Sequence, residues 1–508
     1  MSQHRSPLES ALIVMTLGLL VWLPLPKGSY AHWSGSLFSL ITATLTLLWA
    51  WQQLNKNSSH NRALGVARTP FLLLLGAQLW VLLQLLFGIT TDQGETLYYL
   101  TLGLGYSFLF ILVIGLFYTR SRLTLLLSTL VVSATFQAFY GTFMTLSGVE
   151  WLLFEPKAGG QGVVSGTYFN RNHLAGYLVM SLGCGIGLLM ALRDGAPFRW
   201  HSLLEMMMGP KARLRLALVI MVIALVMTRS RMGNTAFFAS LLIIGGLFVL
   251  LNREHRLRNS LILASLILID VLVISQFFGL DKLKDRLVGT RFQDEVVVTE
   301  LTESAREEIQ REEPSSQTTE TAKNSTVADS GSTQSAVVEE TPVVIERLTL
   351  SQEAEARYQV EVVERKNVIR TDVFGYVWQQ FTDRPLVGFG AGSFGASFQP
   401  YAGEDIRGFF NNAHNDYLQF AVEYGLIGFT ALGAFVLICL YHALKALWHR
   451  QSWYRSGVGF GAAMGILGIL IHSATDFNLQ IPANAATFVT LCAIGILANQ
   501  HRKTRRRN

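Results

Sequence analysis

Charged residues are scarce in this chain. Only 15% of its 508 residues are Asp, Glu, Lys or Arg, while 50% are hydrophobic. Soluble globular proteins carry about 25% charged residues, so the composition excludes an ordinary soluble protein. The few charges are clumped, which leaves long apolar tracts typical of membrane-spanning helices. The sequence therefore predicts an all-α polytopic membrane protein.

Cysteine is also rare, and its spacing matches no metal site. The three cysteines, Cys184, Cys439 and Cys492, all lie in apolar segments. Walker, HExxH and GxSxG motifs are absent. The string "GAGSFG" at 390–395 matches GxGxxG, but no strand–turn–helix unit surrounds it, so we interpret it as a turn that brings backbone amides near a substrate. We expect neither a metal ion nor another cofactor.

The net charge of +6 does not indicate nucleic acid, because basic residues accumulate on the cytoplasmic side of membrane proteins. We expect membrane lipids, and no nucleic acid, as partners. Apolar tracts predict about twelve spanning helices, with centres near 17, 42, 79, 107, 135, 182, 221, 242, 269, 431, 464 and 491. The first tract has a weakly basic flank, so we expect a retained helix rather than a cleaved signal peptide.

Lysine and arginine in the short loops predict the orientation. Most of them fall on one side if both termini are cytoplasmic, and the opposite short loops hold only Lys27, Lys157, Arg171, Arg229 and Arg231. The large loop between the ninth and tenth helices is then on the outer side. Its middle, about 300–345, is rich in Ser, Thr and Glu and is expected to be disordered. A helix is predicted over roughly 350–383.

The predicted organisation has five parts. It comprises helices one to five (1–150), helices six to nine (151–279), the large outer loop (280–413), helices ten to twelve (414–500) and a basic cytoplasmic tail (501–508).

Two arginines, Arg229 and Arg231, lie in a tight hairpin on the predicted outer side, against the charge trend. Arginine suits phosphate because it is always charged and offers a planar fork of donors. A lipid-linked phosphate or pyrophosphate would fit. The alternative is an arginine pair reaching lipid headgroups.

The stretch "NNAHNDYLQFAVEYG" at 411–425 places polar residues at the start of an apolar helix. His414 has a side chain suited to general-base catalysis, although a structural hydrogen bond is the alternative. Asp416 would orient His414 or cap the helix. Glu423, deeper in the helix, is a functional candidate or pairs with an arginine. His472 and Asp476 share a face if their segment is helical.

Five strings together resemble the O-antigen ligase/polymerase superfamily of bacterial inner-membrane glycan transferases. They are "GTYFNRNHLAGYL", "TRSRMG", "RPLVGFGAGSF", "NNAHNDYLQFAVEYGLIGF" and "HSATDFNLQIPANA". The resemblance covers about 165–235 and 365–490, and the first 150 residues match in hydropathy alone. It implies a glycosyltransferase C-like fold with a periplasmic loop over the catalytic cavity. It also implies an undecaprenyl-pyrophosphate-linked glycan as donor, without metal or nucleotide.

Carried over by position, the resemblance implies that Arg231 and Arg370 bind the pyrophosphate and that His414 activates the acceptor hydroxyl. We expect further substrate contacts from Asn170, Arg171, Asn172, Arg229, Asn415, Asp416 and Glu423. The Ser/Thr/Glu-rich insertion is longer than a plain ligase would need, which leaves the acceptor open.

The expected reaction is a metal-independent, inverting glycan transfer at the periplasmic face of the inner membrane. Three acceptors fit equally: lipid A–core for a ligase, a second lipid-linked repeat unit for a polymerase, or a protein hydroxyl. A small-anion transporter is the non-enzyme alternative, and a sensor is a third. Charges gathered at the outer rim, rather than along the mid-membrane, favour the enzyme.

Overall fold

The computed structural model describes residues 6–55, 61–192, 210–251, 370–403, 410–449 and 452–500, together with the single positions 260 and 264. Within these ranges the chain is helical and contains no β-strand, only one isolated bridge between Trp151 and Pro156. This confirms the all-α class. The described helices belong to one compact unit.

Within the described residues, eight helices precede the large loop: α1 (Pro7–Trp22), α2 (His32–Leu54), α3 (Arg62–Leu86), α4 (Gln93–Leu116), α5 (Arg120–Ser147), α6 (Arg171–Ala191), α7 (Pro210–Met227) and α8 (Arg231–Leu251). Five follow within the described part: α9 (Arg370–Asp383), the short α10 (Phe394–Phe398), α11 (Asp416–Leu447), α12 (Trp453–His472) and α13 (Pro482–Gln500). The described ranges also contain 3₁₀ turns at Lys27–Ser29, Gln399–Tyr401 and Asn478–Gln480.

Among the described residues, nine helices are long and apolar enough to cross a membrane, and α1 is a shorter apolar helix of 16 residues. Eleven of the twelve predicted centres fall inside described helices. The twelfth, near 269, lies outside the described residues, as do the segment at 300–345, the predicted helix before 370 and the tail. The exact number of spans and the glycosyltransferase C arrangement therefore remain predictions.

Short polar side chains begin several of these helices. The Ser6 hydroxyl accepts from the Glu9 amide at 3.3 Å, ahead of Pro7 in the first turn of α1. The Asp92 carboxylate likewise accepts from the Glu95 amide at 3.0 Å. Such caps satisfy backbone donors that have no partner within the helix. They fix where each span begins.

Helices α6 and α12 pack closely enough that only glycine fits at their contact. A Cβ on Gly187 would lie 2.6 Å from the Gly457 oxygen and 2.6 Å from the Gly461 Cα, and one on Gly183 would lie 2.9 Å from the Gly461 oxygen. Small residues let helix backbones approach where lipid supplies no hydrophobic drive. This contact holds the second half of α6 against the first half of α12.

Helix α13 lies at the centre of the bundle. It is buried nearly throughout and packs against α4, α6, α11 and α12. By contrast, α11 leaves large apolar side chains exposed, including Leu437 and Tyr441. The exposed apolar faces of the outer helices fit contact with lipid.

Candidate functional site

The first turn of α6 is held by polar side chains near the start of α13. The Asn170 side chain caps α6 by accepting from the Asn172 amide at 2.8 Å. The Asn484 amide donates to the His173 carbonyl at 2.9 Å, and the Tyr168 hydroxyl donates to Asn484 at 3.1 Å. The predicted substrate contact Asn170 therefore also has a structural role.

The turn between α7 and α8 brings its arginines beside this end of α6. Arg229 adopts a left-handed backbone with φ of 52°, and the Ser230 hydroxyl caps α8 by accepting from the Gly233 amide at 3.2 Å. A Cβ on Gly233 would lie 2.6 Å from the Ala175 Cβ, so α8 touches α6 within its second turn. Arg229 and Arg231 are both exposed. Arg171, the first residue of α6, is exposed at the same end of the bundle.

His414 lies in the loop before α11, with φ of 49° and a half-buried side chain. Its ring meets the Phe477 ring edge to face at a centroid distance of 4.9 Å. Phe477 meets His173 in the same way at 4.7 Å. One phenyl ring thus links the loop before α11 to the first turn of α6. A left-handed backbone in a non-glycine residue is strained and persists only where its surroundings hold it.

Asn415 and Asp416, both predicted substrate contacts, also hold the loop in place. The Asn415 side chain caps α11 by accepting from the Leu418 amide at 3.1 Å. The buried Asp416 accepts from the Ser473 hydroxyl at 2.7 Å and from the Leu479 amide at 3.1 Å. Asp416 therefore joins α11 to the loop between α12 and α13, while Asn415 does the capping. Substrate contact by either side chain remains a prediction.

A second acid lies behind the Phe477 ring. The buried Asp476 carboxylate is 3.9 Å from His173 Nε2 and 3.8 Å from His472 Nε2. It also accepts from the Phe477 amide at 2.8 Å. His472 ends α12 and Asp476 follows in the loop, so the two approach each other without sharing one continuous helix. This buried group supports the ring that His414 touches.

Helix α11 is broken at Gly425, whose φ of 61° and ψ of 178° leave the helical region. The segment before α10 docks at the break. The Phe389 amide donates to the Val422 carbonyl at 2.9 Å, and the Gly390 amide donates to the Glu423 carbonyl at 3.0 Å. The glycine-rich string thus turns back onto the helix that follows His414.

The Glu423 side chain is fully buried at this break. It accepts from the Gln419 amide at 3.0 Å, and the backbone amides of Gly392 and Phe394 lie against its carboxylate. Among the described residues its partners are thus amides, rather than the arginine considered as an alternative. A direct contact with substrate remains a prediction for Glu423.

Arg370 is the first residue of α9, and its side chain lies outside what the structure describes. The rest of α9 packs against α11, and Gln380 donates to the Ser397 hydroxyl at 2.8 Å. The helix itself is therefore placed beside the site. The role of Arg370 remains a prediction.

A family model described as O-antigen ligase matches residues 216–433. The match includes both arginines of the α7–α8 turn, the start of α9 and His414. Residues 216–433 are therefore similar to the O-antigen ligase family. This confirms the resemblance to the O-antigen ligase/polymerase superfamily and supports glycan transfer as the general activity. A search of curated proteins found no matching protein.

Two residues of this site, His173 and Phe477, were not predicted from the sequence. His173 lies in the quoted "NRNH" string, and Phe477 follows the Asp476 that was considered. A histidine followed by a long apolar run was an available signal. The contact through Phe477 could not be read from sequence, because it joins segments that are distant along the chain.

Proposed function

We propose that this protein transfers a glycan from an undecaprenyl-pyrophosphate carrier to an acceptor hydroxyl at the periplasmic face of the inner membrane, most closely as an O-antigen ligase does. One observation carries the proposal. His414, within the matched residues 216–433, contacts the Phe477 ring. The same ring contacts His173 in the first turn of α6, beside the exposed arginines of the α7–α8 turn. A base and anion-binding groups thus belong to one end of the bundle.

In this reaction, Arg231, Arg370 and Arg171 bind the pyrophosphate. His414 takes the proton from the acceptor hydroxyl. The acceptor oxygen forms a bond to the anomeric carbon as the bond from that carbon to the phosphate oxygen breaks. The pyrophosphate leaves on its lipid with the electron pair, and arginine side chains stabilise the developing charge. A single displacement inverts the anomeric centre.

The backbone at His414 supports its assignment as the base. The left-handed conformation is fixed by Asp416 and the Asn415 cap immediately after it, and the imidazole is half-buried against Phe477. A fixed imidazole loses little entropy when substrate binds, and its usual pKa suits proton transfer near neutral pH. The acceptor remains open among lipid A–core, a growing polysaccharide and a protein hydroxyl.

The test compares two histidine variants in purified full-length protein. His414→Ala should lower kcat for transfer by about 10²- to 10⁴-fold, the usual contribution of a general base. His442→Ala is the matched control, because His442 lies near the opposite end of α11 and contacts Asn499 at 2.7 Å. Full activity in His414→Ala would contradict the base assignment.

The acceptor is identified by mass spectrometry of surface glycans from a deletion strain. A lost ladder of chain lengths indicates a polymerase, and polymer that accumulates without lipid A indicates a ligase. A protein that loses its glycan indicates protein transfer. Unchanged surface glycans would contradict glycan transfer altogether.

A further inference from the structure

A second polar cluster lies beside the His414 loop, in the part of the chain that the family model does not match. It consists of Tyr30, His32 and Glu95, near the starts of α2 and α4. His32 Nε2 lies 3.2 Å from Glu95 Oε1, and the His32 ring meets the Tyr98 ring edge to face at 4.4 Å. These contacts hold the cluster in one arrangement.

The cluster is accessible. The His32 side chain is 65% exposed, the Glu95 side chain 34%, and Tyr30 is 48% exposed. An exposed ion pair contributes little to stability. Stability alone therefore does not account for this combination of carboxylate, imidazole and phenol at one place.

Asn412 connects the cluster to the loop that carries His414. The Asn412 side chain lies close to the Tyr30 hydroxyl, and it accepts a hydrogen bond from the Gln419 side-chain amide at 3.2 Å. Gln419 in turn accepts from the Ala413 amide at 3.1 Å. The cluster is thus tied to the chain within two residues of His414.

The two sides of the His414 loop differ in charge. On the α6 and α8 side the exposed groups include arginines, which attract phosphate. On the α2 and α4 side the Glu95 carboxylate repels phosphate, and it is already paired with His32, which reduces its attraction for a cation. The Tyr30 phenol keeps its proton at neutral pH, as an ordinary tyrosine does. Carboxylate, phenol and amide groups all form hydrogen bonds with hydroxyl groups.

We propose that Tyr30, His32, Glu95 and Asn412 form a subsite for an uncharged pyranose residue of the glycan substrates. This inference rests on the proposed function and adds the orientation of the bound substrate. The pyrophosphate lies towards α6 and α8, the sugar lies towards α2 and α4, and His414 lies between them. The Glu95 carboxylate accepts hydrogen bonds from sugar hydroxyls, while Tyr30 and Asn412 donate or accept at neighbouring ones.

Binding is tested on full-length protein in lipid nanodiscs by saturation-transfer NMR. The probes are methyl glucoside, methyl galactoside and methyl N-acetylglucosaminide. Wild type should bind at least one of them. Glu95→Gln and Tyr30→Phe should each weaken that binding by about tenfold, because a hydrogen bond to the sugar is lost or made weaker. Tyr441→Phe is the matched control, since Tyr441 is 56% exposed and lies near the opposite end of α11.

The same variants are then measured in transfer, with donor and acceptor extracted from native membranes. A raised KM for the donor assigns the subsite to the donor glycan, and a raised KM for the acceptor assigns it to the acceptor. The inference is overturned if wild type binds none of the glycosides, if both variants bind within twofold of wild type, or if neither KM changes. Absence of transfer in wild type would instead refute the proposed function. The NMR binding measurement would still show whether the subsite binds a sugar.

Discussion

Replacing Gly425 by alanine tests the break in α11. Alanine rarely adopts a φ of 61° with ψ of 178°, and its Cβ would lie 2.2 Å from the Leu386 oxygen and 2.7 Å from the Gly388 nitrogen. The conformation costs about 2 kcal/mol. The clash would also break two backbone hydrogen bonds. The Leu426 amide donates to the Pro385 carbonyl at 2.8 Å, and the Ile427 amide donates to the Leu386 carbonyl at 3.3 Å. At about 1 kcal/mol for each bond, the expected loss of stability is about 4 kcal/mol.

The control is Gly433→Ala in the same helix, where an added Cβ meets nothing within 4 Å. Alanine there should be neutral or stabilise by up to about 1 kcal/mol. Both variants are compared by thermal unfolding in detergent and by transfer activity. Gly425→Ala should unfold at a clearly lower temperature and lose transfer, because the docked segment before α10 is displaced. Equal unfolding temperatures for the two variants would refute the broken helix.

Two further predictions concern stability. Glu9→Gln should destabilise the protein by about 3 kcal/mol, because Glu9 lies 2.5 Å from Arg122 and the two side chains are only 14% and 9% exposed. Glu155→Gln, which breaks an exposed ion pair, should cost less than about 1 kcal/mol of stability. Denaturant titration in detergent compares them, and equal losses would contradict the buried pair. Gly187→Ala should destabilise by about 1–3 kcal/mol, because its Cβ would lie 2.6 Å from backbone atoms of α12, while Gly246→Ala meets open space. Similar melting of the two glycine variants would contradict the close packing.

The sequence predicted the helices well, because a long apolar tract in a membrane must satisfy its backbone hydrogen bonds internally, and a helix does this. Each described spanning helix lies near a predicted centre. The break at Gly425 was not predicted, because the run "FAVEYGLIGF" is apolar on both sides of it apart from Glu423. The break depends on backbone partners supplied by a distant segment.

The candidate site was predicted in part. The motifs indicated Arg231 and His414 as candidates, and their roles stay predictions. The structure connects their helix ends, because α6 contacts α8 and both His173 and His414 contact Phe477. The role of Asp416 required the structure, because its partners come from a loop far along the chain. The cluster around Glu95 was missed for the same reason. Its residues are ordinary polar residues at helix starts, and only packing brings them to the His414 loop.

The most direct test of the account is where the lipid-linked pyrophosphate glycan binds. A photoreactive p-benzoylphenylalanine replaces Phe169, just before α6 and 61% exposed, or Trp448, at the far end of α11 and 60% exposed. We expect labelled donor from native membranes to crosslink at position 169 and excess unlabelled donor to prevent this, while position 448 stays unlabelled. Crosslinking at 448 in place of 169, or equally at both, would contradict it.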